Sequence, residues 1–294
     1  MKTKPRVAGA PISWGVCEVP GWGHQMEAER VLSEAADLGL TAVEAGPDGF
    51  LPPEPGEMSR LLSSHGLDLV GGFVPVVLHR PEVRDSELAS VDRQAGLFAA
   101  AGADVLVLAA DTDQEGYEES AGLDDNEWEE LFASVAKVEE ICERHGLTLV
   151  LHPHYGTEIE SPEHVRRFLE GCDTALCLDT GHSMVGGGDP VALAESAAGR
   201  IRHVHLKDVD QDLAERVVAG TLDYEEAVRD GLYRPLGDGD VDIRRVLDVL
   251  DRSGYDGWYV LEQDIMLETD PGDGPAKEVG KSLAFLKDVL EVKG

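Results

Sequence analysis

The chain has 294 residues, 42% of them apolar, and a formal charge of −33 from 58 acidic and 25 basic side chains. A chain this long and this apolar buries roughly three quarters of its unfolded surface, which excludes disorder and suits one α/β barrel. So acidic a surface repels phosphate backbones and anionic membranes, which excludes nucleic acid and membrane as expected partners.

Acids this abundant are mostly solvated surface, so a carboxylate needs a special position before it reads as functional. Four cysteines, Cys17, Cys142, Cys172 and Cys177, form no CxxC motif and no disulfide-like spacing. A reduced, cytoplasmic setting is the expectation. The opening MKTKPRVAGAPISWG has no apolar run of signal-peptide type, and no stretch approaches a membrane span.

In chain order, short β-rich apolar runs alternate with longer segments of helical period. Arg6–Ser13 reads as the first strand, followed by a helix near Gln25–Leu38 that Gly39 stops. Ala42–Ala45 is the second strand, Pro55–Ser64 a helix, and Leu67–Val77 holds the third strand. Asp85–Ala101 is helical, Asp104–Ala109 the fourth strand, and Asp124–His145 a long helix ended by Gly146. Leu147–His152, Ala175–Leu178 and Ile201–Leu206 are the fifth, sixth and seventh strands, with helices at Ser161–Gly171 and Asp189–Ala198 between them. Pro162 sits at a first helical position. The Val209–Asp240 connection is long enough to carry a helix of its own, at Tyr224–Asp230. Val241–Ser253 is a helix, Trp258–Glu262 the eighth strand and Pro275–Val292 the closing helix. This alternation implies parallel pairing, and eight units in 294 residues imply a (β/α)8 TIM barrel, one domain spanning 1–294. The competing open doubly wound sheet lacks a GxGxxG or GxxxxGK[ST] turn after the first strand.

In such barrels the C-terminal strand ends form the active-site mouth. Here four consecutive strands finish in ionisable residues: His152-Pro153-His154, Asp179-Thr180-Gly181-His182, His203-Val204-His205-Leu206-Lys207-Asp208 and Glu262-Gln263-Asp264. Alternation places Asp179 with Cys177, His205 with His203 and Lys207, and Glu262 with Val260. If those faces point inward, Asp179, His205 and Glu262 converge. Charges at that depth are costly unless paired or bound to metal. Two carboxylates and an imidazole suit one divalent ion, Mn2+ or Co2+, with Mg2+ or Zn2+ as alternatives. A fourth ligand is expected after strand five, from Glu160 or His152, with Glu158 third. Taken singly, each residue has a plainer reading: a hydrogen-bonded core histidine, a helix-capping aspartate, a barrel-mouth ion pair. Lys207 is the proton-transfer candidate, because a nearby metal lowers its pKa; its plain reading is an ion pair with Asp208 or Glu262. His182 is a substrate contact or a partner of a ligand. Trp14 and Trp22, flanked by glycines, are candidates to stack on a sugar ring or to plug the mouth. Pro235-Leu236-Gly237-Asp238-Gly239 is expected to close over substrate.

At these residues the sequence resembles the xylose-isomerase-like barrels of sugar isomerases, epimerases and dehydratases, and within them it is most similar to the inosose (2-keto-myo-inositol) dehydratases. The matching pieces are Ala10–Gly15, Val43–Pro47, His152–Thr157, Leu178–His182, His203–Asp208, Pro235–Gly239 and Tyr255–Asp264. The resemblance implies a lyase acting on a small polyhydroxylated ketone, with a metal on Asp179, His205, Glu262 and a strand-five residue. It implies Lys207 or Glu262 as base, His182 or His154 as acid, and Trp14, His152, His154, His182 and Lys207 around the substrate. Most relatives carry Glu at the strand-five position where this chain has His152, so His152 takes that place or Glu160 folds back to it. Glutathione is a further cofactor of the dehydratases, though no pattern here marks a site for it. A keto-sugar isomerase or epimerase would use the same metal; an abasic-site endonuclease would need a basic face; a sugar-binding barrel without activity would need no metal. A homo-oligomer stays open.

Overall fold

The computed structural model describes residues 5–114, 117 and 122–291. Its strands are β1 (Arg6–Gly9), β2 (Ala42–Val43), β3 (Asp68–Leu69), β4 (Phe73–Val76), β5 (Val105–Ala110), β6 (Thr148–Leu151), β7 (Ala175–Asp179), β8 (Ile201–Leu206), β9 (Asp208–Val209), β10 (Tyr233–Arg234) and β11 (Trp258–Leu261). Nine of them form one sheet in the order β3-β2-β1-β11-β8-β7-β6-β5-β4, every pair parallel. Its two ends, β3 and β4, are halves of one pass, so the sheet closes on itself as an eight-staved barrel, as the alternation predicts. At the break, Val70 N bonds Val43 O on one side while Asp104 N bonds Val70 O on the other, at 2.9 and 3.0 Å.

The third strand lies within Leu67–Val77, as expected, but is interrupted. Gly71 and Gly72 are the cause: a Cβ on Gly71 would overlap the Val105 carbonyl, and one on Gly72 the Phe98 ring. Only glycine lets the backbone pass that close. The first strand also ends early. Pro11 has no N–H for the ladder, and Pro11–Trp14 turns as a short 3-10 helix closed by Gly15 at φ +76°.

The helices outside the barrel are α1 (Ala28–Asp37), α2 (Pro55–Ser64), α3 (Arg84–Ala100), α4 (Asp125–His145), α5 (Pro162–Gly171), α6 (Thr180–Val185), α7 (Pro190–Ala197), α8 (Gln211–Val218), α9 (Tyr224–Arg229), α10 (Ile243–Ser253) and α11 (Gly274–Glu291). The expected helix in the long connection is α9; α6 and α8 lack a long apolar stripe and were not foreseen. No described helix is long and apolar enough to cross a membrane. Part of the acid surplus caps helices: Asp124, Asp189, Asp210, Asp223 and Asp242 each accept N–H bonds in the first turn. Inside the barrel, Ala8, Ala42, Val70, Val260, Val107, Val150 and Cys177 fill the bore below the mouth.

The remaining acids repel one another. At 0.1 M salt charges interact over about 10 Å, and at 1 M over about 3 Å. Exposed ion pairs lose little on screening because they are worth little. Raising KCl from 0.1 to 1 M is therefore expected to raise the melting temperature by roughly 5–10 °C, at about 2–4 °C per kcal/mol. Calorimetry at both salts checks this; an unchanged or lower melting temperature would reject it.

Candidate active site

Asp179 ends β7, and its two carboxylate oxygens divide the work. Oδ1 accepts from Gly181 N and His182 N at 2.8 and 2.7 Å, capping α6. Oδ2 faces the bore, 3.3 Å from His152 Nε2, 3.6 Å from His205 Nδ1 and 3.5 Å from Lys207 Nζ. Capping thus occupies one oxygen and leaves the other facing the bore. Gly181 beside it is obligatory, since a Cβ there would stand 2.6 Å from the Lys207 Cβ.

His205, from β8, puts Nδ1 3.2 Å from Glu262 Oε2 and 3.1 Å from His152 Nε2. Its Nε2 faces Glu44 Oε1 at 3.1 Å. Lys207 Nζ lies 3.1 Å from Glu262 Oε2, 2.9 Å from Asp264 Oδ1 and 2.9 Å from His182 Nε2. All are buried. They stand at one side of a cavity of about 220 Å3 that Glu44, His152, His154, His205, Lys207, Glu262 and Asp264 help to line. Phe73, Tyr117, Cys17 and Glu18 line other parts of it.

Four carboxylates, Glu44, Asp179, Glu262 and Asp264, face two cationic groups, Lys207 and His205. Burial alone would raise these acids. His205 and Lys207 reverse that for Glu262; Lys207 and His182 do so for Asp179, and His205 and His203 for Glu44, so all three lie below the usual range. Asp264, most affected by burial, is pushed up to about 6 despite Lys207. Burial works against the charge of Lys207, but Asp179, Asp264 and Glu262 hold its pKa well above normal. For His205 likewise, burial is outweighed by Cys177, Glu262 and Glu44, and its pKa is raised. Burial pushes His152, His154 and His182 below the ordinary histidine value.

The surplus of negative charge and the donor types fit a divalent cation. Asp179, His205 and Glu262 offer ligand atoms within 4.8 Å of one another. His152 Nε2 adjoins the same point and completes two imidazoles and two carboxylates, a set suited to a borderline divalent ion. His152 Nδ1, behind it, is buried and without a hydrogen-bond partner.

Several of the expected site residues lie away from the cavity. Glu160 does not reach the cluster: its Oε2 accepts from Gly156 N at 2.8 Å, because 154–160 folds as a tight turn with Gly156 at φ +77°. Glu158 points to His79, 3.9 Å away. Trp14 is turned out of the bore by the Pro11–Trp14 turn and donates to Glu34 of α1 at 2.9 Å, so it does not line the cavity. Trp22 donates to Ile265 O at 2.9 Å and packs against Tyr117. His182 lies behind His154 and Lys207, with ring centroids 3.7 Å from His154, and does not line the cavity. Asp208 does not pair with Lys207. Its carboxylate accepts from Gly237, Gly239 and Val241 N–H groups at 2.7–3.2 Å, bracing the 235–239 loop, which also lies outside the cavity wall. Two site residues went unassigned at sequence level. Asp264 carried a signal, being two residues past Glu262 on the same face; Glu44 followed a strand of only two residues and carried little.

A family model described as xylose isomerase-like TIM barrel matches residues 32–289. Inosose dehydratase of Geobacillus kaustophilus (strain HTA426) is 33% identical over 270 residues, 88% of this chain and 87% of that protein. The rhizopine catabolism protein MocC of Rhizobium meliloti is 33% identical over 268 residues, 88% of this chain and 81% of that protein. Among solved structures, an L-ribulose 3-epimerase superposes with TM-score 0.72 at 18% identity, covering 98% of this chain and 95% of that one. An IOLI protein with a bound zinc atom superposes with TM-score 0.70 at 13% identity, covering 99% and 98%. These superpositions speak for the fold alone. The model match and the curated relatives, each spanning most of the chain, make this protein an enzyme of the xylose isomerase-like TIM barrel family.

Proposed function

We propose that the protein is a metal-dependent lyase that dehydrates 2-keto-myo-inositol or a closely similar keto-cyclitol. The observation that carries this reading is the meeting of Asp179 Oδ2, His205 Nδ1, Glu262 Oε2 and His152 Nε2 beside Lys207 Nζ in one small cavity. The names of the curated relatives support the substrate class. Asp179, His205, Glu262 and His152 would hold the metal, Mn2+ or Co2+ first, with Mg2+ or Zn2+ as alternatives. A bound divalent ion polarises a ketone and steadies adjacent hydroxyls.

The chain supplies the proton transfers. Glu262, kept ionised by His205 and Lys207, takes the proton from the carbon next to the ketone. Lys207, held as a cation, gives a proton from Nζ to the departing hydroxyl, which leaves as water. In this proposal Lys207 serves as the acid; the base role expected from the sequence is carried by Glu262. His182 and Asp264 fix the position of its Nζ. One C–H and one C–O bond break and a C=C bond forms, so no oxidant is needed.

A second reading, epimerisation of a keto-sugar, draws support from the structural neighbours titled 3-epimerases. A product assay separates the two. Mn2+-loaded enzyme is given 2-keto-myo-inositol, and the ultraviolet absorbance of the enolised dione is followed. A metal-dependent rise is expected. No rise from protein carrying one equivalent of metal would sink the dehydratase and favour the epimerase.

A further inference from the structure

Glu44 stands in the Val43–Pro47 run, and no proton transfer proposed above uses it. It follows β2, whose Val43 pairs with Gly9 and Leu69, and its own N–H bonds Gly9 O at 3.0 Å. Its carboxylate is buried and a single oxygen, Oε1, meets two imidazoles: His203 Nε2 at 2.7 Å and His205 Nε2 at 3.1 Å. An ionised carboxylate only accepts hydrogen bonds, so both nitrogens carry their hydrogens toward it. His203 agrees with this, because its Nδ1 is buried with no hydrogen-bond partner. A bare lone pair there costs less than an orphaned N–H.

The consequence falls on His205. With Nε2–H committed to Glu44, the only nitrogen free to ligate is Nδ1, and that is the atom facing Asp179 Oδ2, Glu262 Oε2 and His152 Nε2 at 3.6, 3.2 and 3.1 Å. The opposite tautomer would set a lone pair on Nε2 against the Glu44 oxygen and turn a proton toward the metal position. His152 has no such brace, since its Nδ1 is buried and unpartnered.

We propose that Glu44 is a positioning residue: it fixes the Nε2–H tautomer and ring orientation of His205, with His203 steadying the carboxylate, so that Nδ1 is presented to a divalent metal. This rests on the reading that Asp179, His205 and Glu262 hold the ion. Partners on the far side of a metal-bound imidazole typically change metal affinity 10–100-fold.

The test is Co2+ binding to the full chain by calorimetry and by the visible d–d spectrum, alongside the 1H–15N signals of the His205 ring in Zn2+-loaded protein. Glu44→Leu is expected to raise Kd about 100-fold and Glu44→Gln, whose carbonyl still accepts, about tenfold. His205 is expected to show a downfield, hydrogen-bonded Nε2–H in the wild type and to lose that shift in Glu44→Leu. Kd values within twofold of wild type for both variants would overturn the proposal, as would an unchanged His205 signature. If Glu44→Leu does not fold, Glu44→Gln decides by its Co2+ Kd, a value within twofold of wild type overturning the proposal. Asp179→Asn separates the underlying reading: if it too binds Co2+ as wild type does, the metal assignment fails. Loss of Co2+ in Asp179→Asn with no change in the Glu44 variants rejects the role of Glu44 alone.

Discussion

Glu262→Gln is expected to lower kcat on 2-keto-myo-inositol by about 10³-fold or more while leaving the protein folded. Two losses combine. The amide cannot take a proton, and removing a positioned base typically costs 10²–10⁴-fold. The amide also takes one negative charge from the metal position, where Asp179 and Glu262 are the two carboxylates. The fold tolerates the change because His205 keeps Glu44 and Lys207 keeps Asp264 as partners, at 3.1 and 2.9 Å. The dione absorbance, metal content and circular dichroism measured together check this. A metal-loaded, folded Glu262→Gln enzyme retaining a tenth of wild-type kcat would remove Glu262 from the role of base.

The second large effect is on stability in mild acid. Burial depresses the pKa of His152, His154, His182 and His203 below the ordinary histidine value. The neighbours His152 and Lys207 push His154 down further, as His154 and Lys207 do His182. Because each folded-state pKa is the lower one, the unfolded chain binds these protons first. The stability they contribute is complete above about pH 6.5 and is lost as pH falls toward the folded values. Each histidine in that window contributes a slope of about 1.4 kcal/mol per pH unit. His205 is shifted the other way, so its contribution is fully present below that pH and adds no slope there, and Asp264, raised to about 6, takes its proton first in the folded state and offsets the slope of one histidine. Glu44, Asp179 and Glu262, depressed on balance, add the same sign of loss only further down, below the carboxylate range. Urea midpoints of chelator-treated protein in 0.5 M KCl are expected to fall steeply between pH 7 and 5.5. A flat profile across that interval would show that these rings are hydrated in the folded state.

The barrel was legible because it rests on local rules. Apolar runs bounded by Gly, Pro and Asp caps recur along the chain, and strand alternation sorts each strand end into an inward and an outward set. That placed Asp179, His205, Lys207 and Glu262 on one mouth. The same rules placed the third strand within Leu67–Val77 but not its break, because Gly71 and Gly72 answer to Val105 and Phe98, far along the chain. They give no view of the three buried carboxylates, Asp179, Asp264 and Glu262, that surround Lys207 and hold its pKa up.

What the sequence by itself determined is therefore the fold class, the end of the barrel where the ionisable cluster gathers and the residue types assembled there, all consequences of periodicity and chain order. Which atoms meet was decided by tertiary structure alone. The turn at 154–160 withdraws Glu160, the Pro11–Trp14 turn withdraws Trp14, α6 takes one oxygen of Asp179 and leaves the other, and Glu44 arrives from β2 to claim one nitrogen of His205. These choices depend on distances between segments up to 161 residues apart. Hydrogen bonds and charge interactions inside a dry barrel act through those distances, and no local pattern encodes them.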